Sequence, residues 1–131
     1  MNSHRRVVNA DNAPTALARY SHAVAAGGLL FCSGQVPLDP ATGELVAGGL
    51  GDQTRRCLLN LAAVADAAGA ALEDAVKVTI FTTQLDRFAE INTVYEEFFP
   101  AEAPPARAAV GVTALPGGAE LEIEAVVALP S

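Results

Sequence analysis

Residues 52–83 read DQTRRCLLNLAAVADAAGAALEDAVKVTIFTT, and the two ends of this stretch carry different periods. Over 52–68, Cys57, Leu58, Leu61, Val64, Ala65 and Ala68 fall on one stripe at helical spacing, which predicts an amphipathic helix. Asp52 suits its start as a cap, and Gly69 suits a left-handed stop. Residues 76–83 are dense in β-branched side chains and predict a strand. Downstream, residues 86–99 place Phe88, Ile91, Tyr95 and Phe98 on one stripe and end before Pro100, so they form a second helix. Residues 106–114 then return as a strand. Strand, helix, strand requires a crossover and hence parallel pairing.

On the other side, residues 20–25 and 29–35 flank Ala26-Gly27-Gly28 and predict an antiparallel hairpin. Residues 37–51 are rich in Pro and Gly and read as a loop. At the far end, residues 119–129 predict a last strand, joined to 106–114 by a turn at Leu115-Pro116-Gly117-Gly118. The expected fold is α+β: a single mixed β-sheet with two helices on one face, in one domain spanning residues 1–131. The opposite sheet face is left bare, and a bare apolar face predicts assembly.

The chain is 51% apolar and carries 15 acidic against 8 basic residues, a net charge of -7. An acid surplus disfavours a phosphate backbone as partner, because that affinity comes from Lys and Arg. The two cysteines form no CxxC pair, the stretch 1–12 has no apolar leader core, and no apolar run reaches membrane length. A reducing cytoplasmic setting is therefore expected, with no membrane partner. His4 and His22 show no metal-ligand spacing, and GxSxG, P-loop and GxGxxG patterns are absent. No metal and no cofactor are expected.

Along the last strand, Leu121, Ile123, Ala125 and Val127 share one face and Glu120, Glu122 and Glu124 the other. Like charges in a row repel, which asks for a cation nearby. Arg107, the only basic residue after Arg87, stands among small apolar residues in the preceding strand. Two readings stay open: a structural ion pair with a Glu of the hairpin partner, or a fork for a ligand carboxylate. Ser33-Gly34-Gln35 ends an apolar strand, where Gly34 permits close approach and adjacent N–H groups suit an anion. Cys32 reads as a buried, inert thiol, and Tyr20 as a partly buried aromatic with its hydroxyl at the surface.

These pieces resemble the RidA/YjgF family. The resemblance is carried by Arg19-Tyr20-Ser21-His22-Ala23-Val24, Phe31-Cys32-Ser33-Gly34-Gln35-Val36-Pro37-Leu38-Asp39-Pro40, Ala41-Thr42-Gly43-Glu44 and Val76-Lys77-Val78-Thr79-Ile80-Phe81. It continues in Asn92-Thr93-Val94-Tyr95-Glu96-Glu97-Phe98-Phe99, Pro105-Ala106-Arg107 and Leu121-Glu122-Ile123-Glu124-Ala125. It implies a chorismate-mutase-like homotrimer with an inner β-barrel and clefts between subunits. It further implies hydrolysis of 2-imino or 2-enamino acids, such as 2-aminoacrylate or 2-iminobutanoate, to 2-keto acids and ammonia. By position, Arg107 would grip the substrate carboxylate, Glu122 would hold the attacking water, and Tyr20 would line the cleft from the adjacent subunit. Ser33 and Gly34 would supply backbone contacts. Departures fall at Ala18-Arg19, where the family usually has Gly-Pro, at His22, usually Gln, and at Ala108-Ala109 after the arginine. Arg19 and His22, together with Cys32 and Glu124, are the candidates for tuning selectivity. The rival expectations are a carboxylate-binding regulatory module, a deaminase of a related aminoacrylate-type catabolic intermediate, and the endoribonuclease or translation-inhibitor activity ascribed to some members.

Overall fold

The computed structural model of the protein describes residues 4–131; the first three residues of the polar stretch 1–12 lie outside it. Six strands and two α-helices form one mixed sheet: β1 (Arg6–Val8), β2 (Ala23–Ala26), β3 (Leu29–Gln35), α1 (Leu50–Ala67), β4 (Ala75–Thr82), α2 (Phe88–Phe98), β5 (Ala106–Gly111) and β6 (Leu121–Ala128). The strand order is β1-β2-β3-β6-β4-β5. As expected, β2 and β3 form an antiparallel hairpin, and β4 and β5 run parallel across the α2 crossover.

The expected β5–β6 hairpin does not form. β6 inserts between β3 and β4, antiparallel to both, so β4 separates it from β5. The connection past Pro116 crosses the end of β4 and is pinned there. Val112 donates to the Thr82 carbonyl at 2.9 Å, while Thr83 N–H and Thr82 Oγ1 donate to the Glu120 carbonyl at 3.1 and 2.7 Å. Each edge of β4 is bonded to a different strand, β5 along Lys77–Thr82 and β6 along the same stretch, with a register shift between Ala75 and Lys77. Other differences are local. β1 was not foreseen, β2 starts at Ala23 rather than residue 20, and β5 stops at Gly111. α1 starts at Leu50, so Asp52 is not the cap but lies inside the first turn, where its carboxylate accepts the Gly49 N–H at 3.2 Å. Its other end is as expected. Gly69 takes φ +77°, and the Gly69 and Ala70 N–H groups close back on Asp66 and Ala65 at 2.9 Å each.

One side of the sheet is dry. Leu30, Val78, Ile80, Leu121, Ile123 and Val127 pack there against the α1 stripe Leu58, Leu61 and Val64 and against Ile91 and Tyr95 of α2. The pairing register puts Phe31, Val126, Phe81 and Val110 on the other side, together with Glu122, Glu124, Lys77 and Thr79. Both helices lie on the dry side, and Phe31 on the other is 48% exposed. No helix among the described residues is long and apolar enough to cross a membrane.

Candidate active site

A cavity of about 960 Å³ opens where β3 ends and β6 begins. Pro14, Leu17 and Tyr20 line one wall, Leu38 and Leu45 another, and Glu122 and Glu124 reach in from β6. The local backbone explains the opening. The β3–β6 ladder slips between Cys32 and Gln35, so Ser33 and Gly34 leave the regular pairing. The Glu122 carboxylate rests against Gly34, where any side-chain carbon would collide with it. Gly34 thus lets the carboxylate lie close to its backbone, the role foreseen for it, and a side chain there would push the Glu122 carboxylate aside. Glu122 is half-buried, and its carboxyl is held above the usual carboxylate range, first by burial and then by the nearby charge of Glu124. Among the described residues it has no hydrogen-bond or ion-pair partner.

Ser33 is committed to the scaffold. Its N–H donates to the His22 carbonyl at 2.9 Å and its hydroxyl to the Ser21 carbonyl at 2.7 Å, so its N–H does not serve the anion nest considered above. His22 is buried and works as a clasp. Its Nδ1 accepts the Ala10 N–H at 2.9 Å, and its Nε2 lies 2.8 Å from the Pro14 carbonyl. An N–H can only donate and a carbonyl only accept, so the ring is the Nε2–H tautomer. The clasp hangs the Pro14–Tyr20 wall on the sheet, with Asn9 Oδ1 accepting the His22 N–H at 3.0 Å. His22→Ala is expected to cost about 2 to 4 kcal/mol, since it leaves a buried donor and acceptor unmatched. His22→Gln keeps one donor and one acceptor and is expected to cost well under half of that. Urea unfolding of the two variants measures the difference.

Tyr20 is 51% exposed on the cleft wall, in coil rather than strand. Arg19 beside it is exposed, and it is not among the lining side chains. Cys32 faces the core, and burial pushes its thiol up to about 12, so it is an inert thiol at neutral pH. Glu120 lies before β6 and accepts from Gln53 Nε2 of α1 at 2.8 Å, so it does not share a face with Glu122 and Glu124. The cation on the glutamate face is Lys77, which lines a smaller hollow of about 150 Å³ with Glu124 and Phe31. The alternation of β4 places Lys77 on this face, with Thr79 and Phe81.

Arg107 lies elsewhere. It pairs in register with Val78, whose side chain is buried on the helix side, and β4 stands between it and β6. An ion pair with a hairpin partner is therefore excluded by topology. Its Nη1 donates to Asn92 Oδ1 at 2.7 Å, and its guanidinium carbon sits 4.7 Å from the Tyr95 ring centre and 5.1 Å from that of Phe88. The side chain remains exposed and forms no ion pair among the described residues. Phe88 and Tyr95 were read only as core positions and Asn92 had no assigned role, although 88, 92 and 95 share one helix face by spacing.

The buried Tyr95 hydroxyl has no hydrogen-bond partner. Burial raises its phenol above the ordinary tyrosine value; the charge of Arg107 and the close approach of its guanidinium, short of a hydrogen bond of good geometry, oppose this and lose. Tyr95→Phe keeps the ring beneath Arg107 and removes the orphaned hydroxyl. It is expected to leave Tm unchanged or raise it by about 2 °C in calorimetry.

Residues 10–129 match the family model described as Endoribonuclease L-PSP. The chain is 46% identical over 122 residues to the RutC family protein PH0854 of Pyrococcus horikoshii, covering 93% of this chain and 96% of that one. It is 38% identical over 122 residues to human 2-iminobutanoate/2-iminopropanoate deaminase, covering 93% and 88%. The crystal structure of RidA from the Antarctic bacterium Psychrobacter sp. superposes with a TM-score of 0.89 at 40% identity, covering 95% and 99%. The chain belongs to the RidA/YjgF family. In this RidA/YjgF chain the arginine and the glutamate singled out from the sequence do not meet within one sheet. Glu122 opens into the cleft on the bare side, whereas Arg107 is held against α2 on the helix side.

Proposed function

We propose that the protein is a hydrolytic deaminase that converts 2-imino or 2-enamino acids, such as 2-iminobutanoate or 2-aminoacrylate, to 2-keto acids and ammonia. It works as a cytoplasmic homotrimer in which Arg107 of one subunit and Glu122 of a neighbour share a cleft. One observation carries the reading: a cation and a carboxylate, each without an ionic partner, face away from each other across one sheet. A ligand that bears a carboxylate and takes up water suits that pair, and only a second copy brings them together. The side of the sheet that carries Phe31, Phe81, Val110 and Val126, away from the helices, supports the assembly, with the sheets turned inward as a barrel. The human relative's activity supports the substrate class.

The chemistry is modest. An enamine takes a proton on its β-carbon to become the imine, and a protonated imine is already electrophilic at C2. Arg107 fixes the carboxylate and so the position of C2. Glu122 holds water against C2 and takes its proton as the oxygen–C2 bond forms; it returns that proton to nitrogen, and as the C–N bond breaks ammonia leaves and the hydroxyl gives up its proton to become the keto oxygen. Tyr20 closes the wall of the cleft. No electron is transferred, so the reaction is proposed without a cofactor. The surplus of 15 acidic over 8 basic residues supports a small carboxylic acid over RNA as ligand. The test is a coupled assay in which an amino-acid oxidase or a dehydratase generates imines of varied side chain. Faster release of ammonia in the presence of the protein is the expected result. Carboxylate binding without any acceleration would instead make it a regulatory module.

A further inference from the structure

The surroundings of Arg107 carry more than its own role. Every group holding its guanidinium is neutral: the Asn92 amide oxygen at 2.7 Å and the rings of Tyr95 and Phe88. α2 and the turn before it are otherwise generous with ion pairs. Glu97 binds Arg55 at 2.7 Å and Glu90 binds Arg87 at 2.8 Å. Carboxylates thus stand two residues before and five residues after position 92, yet the position that touches Arg107 is an amide. Asn92 also donates from Nδ2 to Glu96 Oε2 at 3.1 Å, which fixes the amide with its oxygen toward the guanidinium. Asparagine is an indifferent residue for a helix interior, so helix propensity does not account for it.

We propose that Asn92 is a positioning residue that aims the Arg107 guanidinium while leaving its full charge for an incoming carboxylate. The proposal rests on Arg107 being the carboxylate anchor of the deaminase proposed above. Aspartate, of the same shape, would hold the guanidinium more firmly but neutralise it, because two carboxylates would then compete for one fork. Alanine would free the side chain without cancelling its charge. The two substitutions are thereby predicted to rank oppositely in stability and in binding.

The test compares wild type, Asn92→Asp, Asn92→Ala and Arg107→Ala, each checked for assembly by sedimentation. The probe is 2-oxobutanoate, a stable keto acid, titrated by calorimetry beside steady-state turnover of 2-iminobutanoate. Asn92→Asp is expected to unfold no earlier than Asn92→Ala, its pairing with Arg107 offsetting the repulsion from Glu96, yet to bind 2-oxobutanoate about tenfold or more weakly than wild type, since a fixed negative charge now faces the ligand's own. Its KM should rise by a similar factor, with kcat changed much less. Asn92→Ala should lose about threefold in affinity, less than the aspartate variant, because a single hydrogen bond is removed. Aspartate binding as tightly as wild type, or alanine proving the weaker binder, overturns the role of Asn92 while leaving the anchor intact. Wild-type binding that survives in Arg107→Ala, or no binding by wild type, overturns the anchor and this proposal with it.

Discussion

Arg107→Ala is expected to lower kcat/KM for 2-iminobutanoate by about a thousandfold, with folding and assembly retained. The size follows from what is removed. A two-pronged, charge-assisted contact to a carboxylate, desolvated in a cleft, is worth roughly 3 to 5 kcal/mol, and each 1.4 kcal/mol is a factor of ten. The folding cost is small by comparison. The side chain is exposed, and its loss removes one hydrogen bond to Asn92 and two ring contacts. Together these are worth about 1 to 2 kcal/mol. Arg107→Lys should recover little, because an ammonium neither matches a carboxylate in two places nor stacks between rings in the same way. Steady-state rates with imine generated in situ, and sedimentation of each variant, measure both halves. A variant that is intact in assembly and keeps wild-type kcat/KM would remove the carboxylate anchor.

Glu122→Gln should be the second large loss, about a hundred- to ten-thousandfold in kcat, the usual worth of a positioned general base. Glutamine has the same shape, so its contact with Gly34 is kept and the loss reports on the proton-accepting oxygen. The pH dependence is a sharper signature. Burial and Glu124 hold the Glu122 carboxyl above its ordinary value of 4.5. In the shared cleft a neighbour's Arg107 pulls the other way, so wild-type turnover should fall on the acid side along a limb set by these opposed effects, as protonation removes the base. Glu122→Gln should lack that limb. Stability moves the other way. The folded chain holds this proton more tightly than the unfolded chain, so stability is favoured at low pH and lost as pH rises through the raised value. Glu122→Gln removes this dependence and should be no less stable than wild type at neutral pH. An acid limb that persists in the glutamine variant would assign the base elsewhere.

Local periodicity carried much of the fold. The stripe of α1, the β-branched run of β4 and the Gly-Gly hairpin of β2 and β3 were all legible, because each is decided by contacts within a few residues. The position of β6 was not. Leu115-Pro116-Gly117-Gly118 has the chemistry of a tight turn, and nothing local shows that the chain beyond it crosses β4 before pairing. Strand order depends on how the crossover and the final connection close over the core, which alternation does not encode. The face of Arg107 was hidden for a related reason. β5 reads Ala106-Arg107-Ala108-Ala109-Val110-Gly111, where small residues on both sides give no polar contrast to mark the core side. On β6, where Glu and apolar residues alternate, the faces of Glu122 and Glu124 were read correctly. Asn92 escaped because it is identified only by the side chain that β5 brings to it.

The account turns on whether one cleft draws its arginine and its glutamate from two different chains. Subunit mixing tests this directly. Arg107→Ala and Glu122→Gln protein, each inactive alone, are unfolded together, refolded at equal ratio, and assayed for release of ammonia from 2-iminobutanoate. In a cyclic assembly with head-to-tail interfaces, about a quarter of the clefts then combine an intact arginine with an intact glutamate, so activity should return to about a quarter of wild type. If the mixture forms mixed oligomers and stays as inactive as its parents, both residues act within one chain, and the shared-cleft mechanism is wrong.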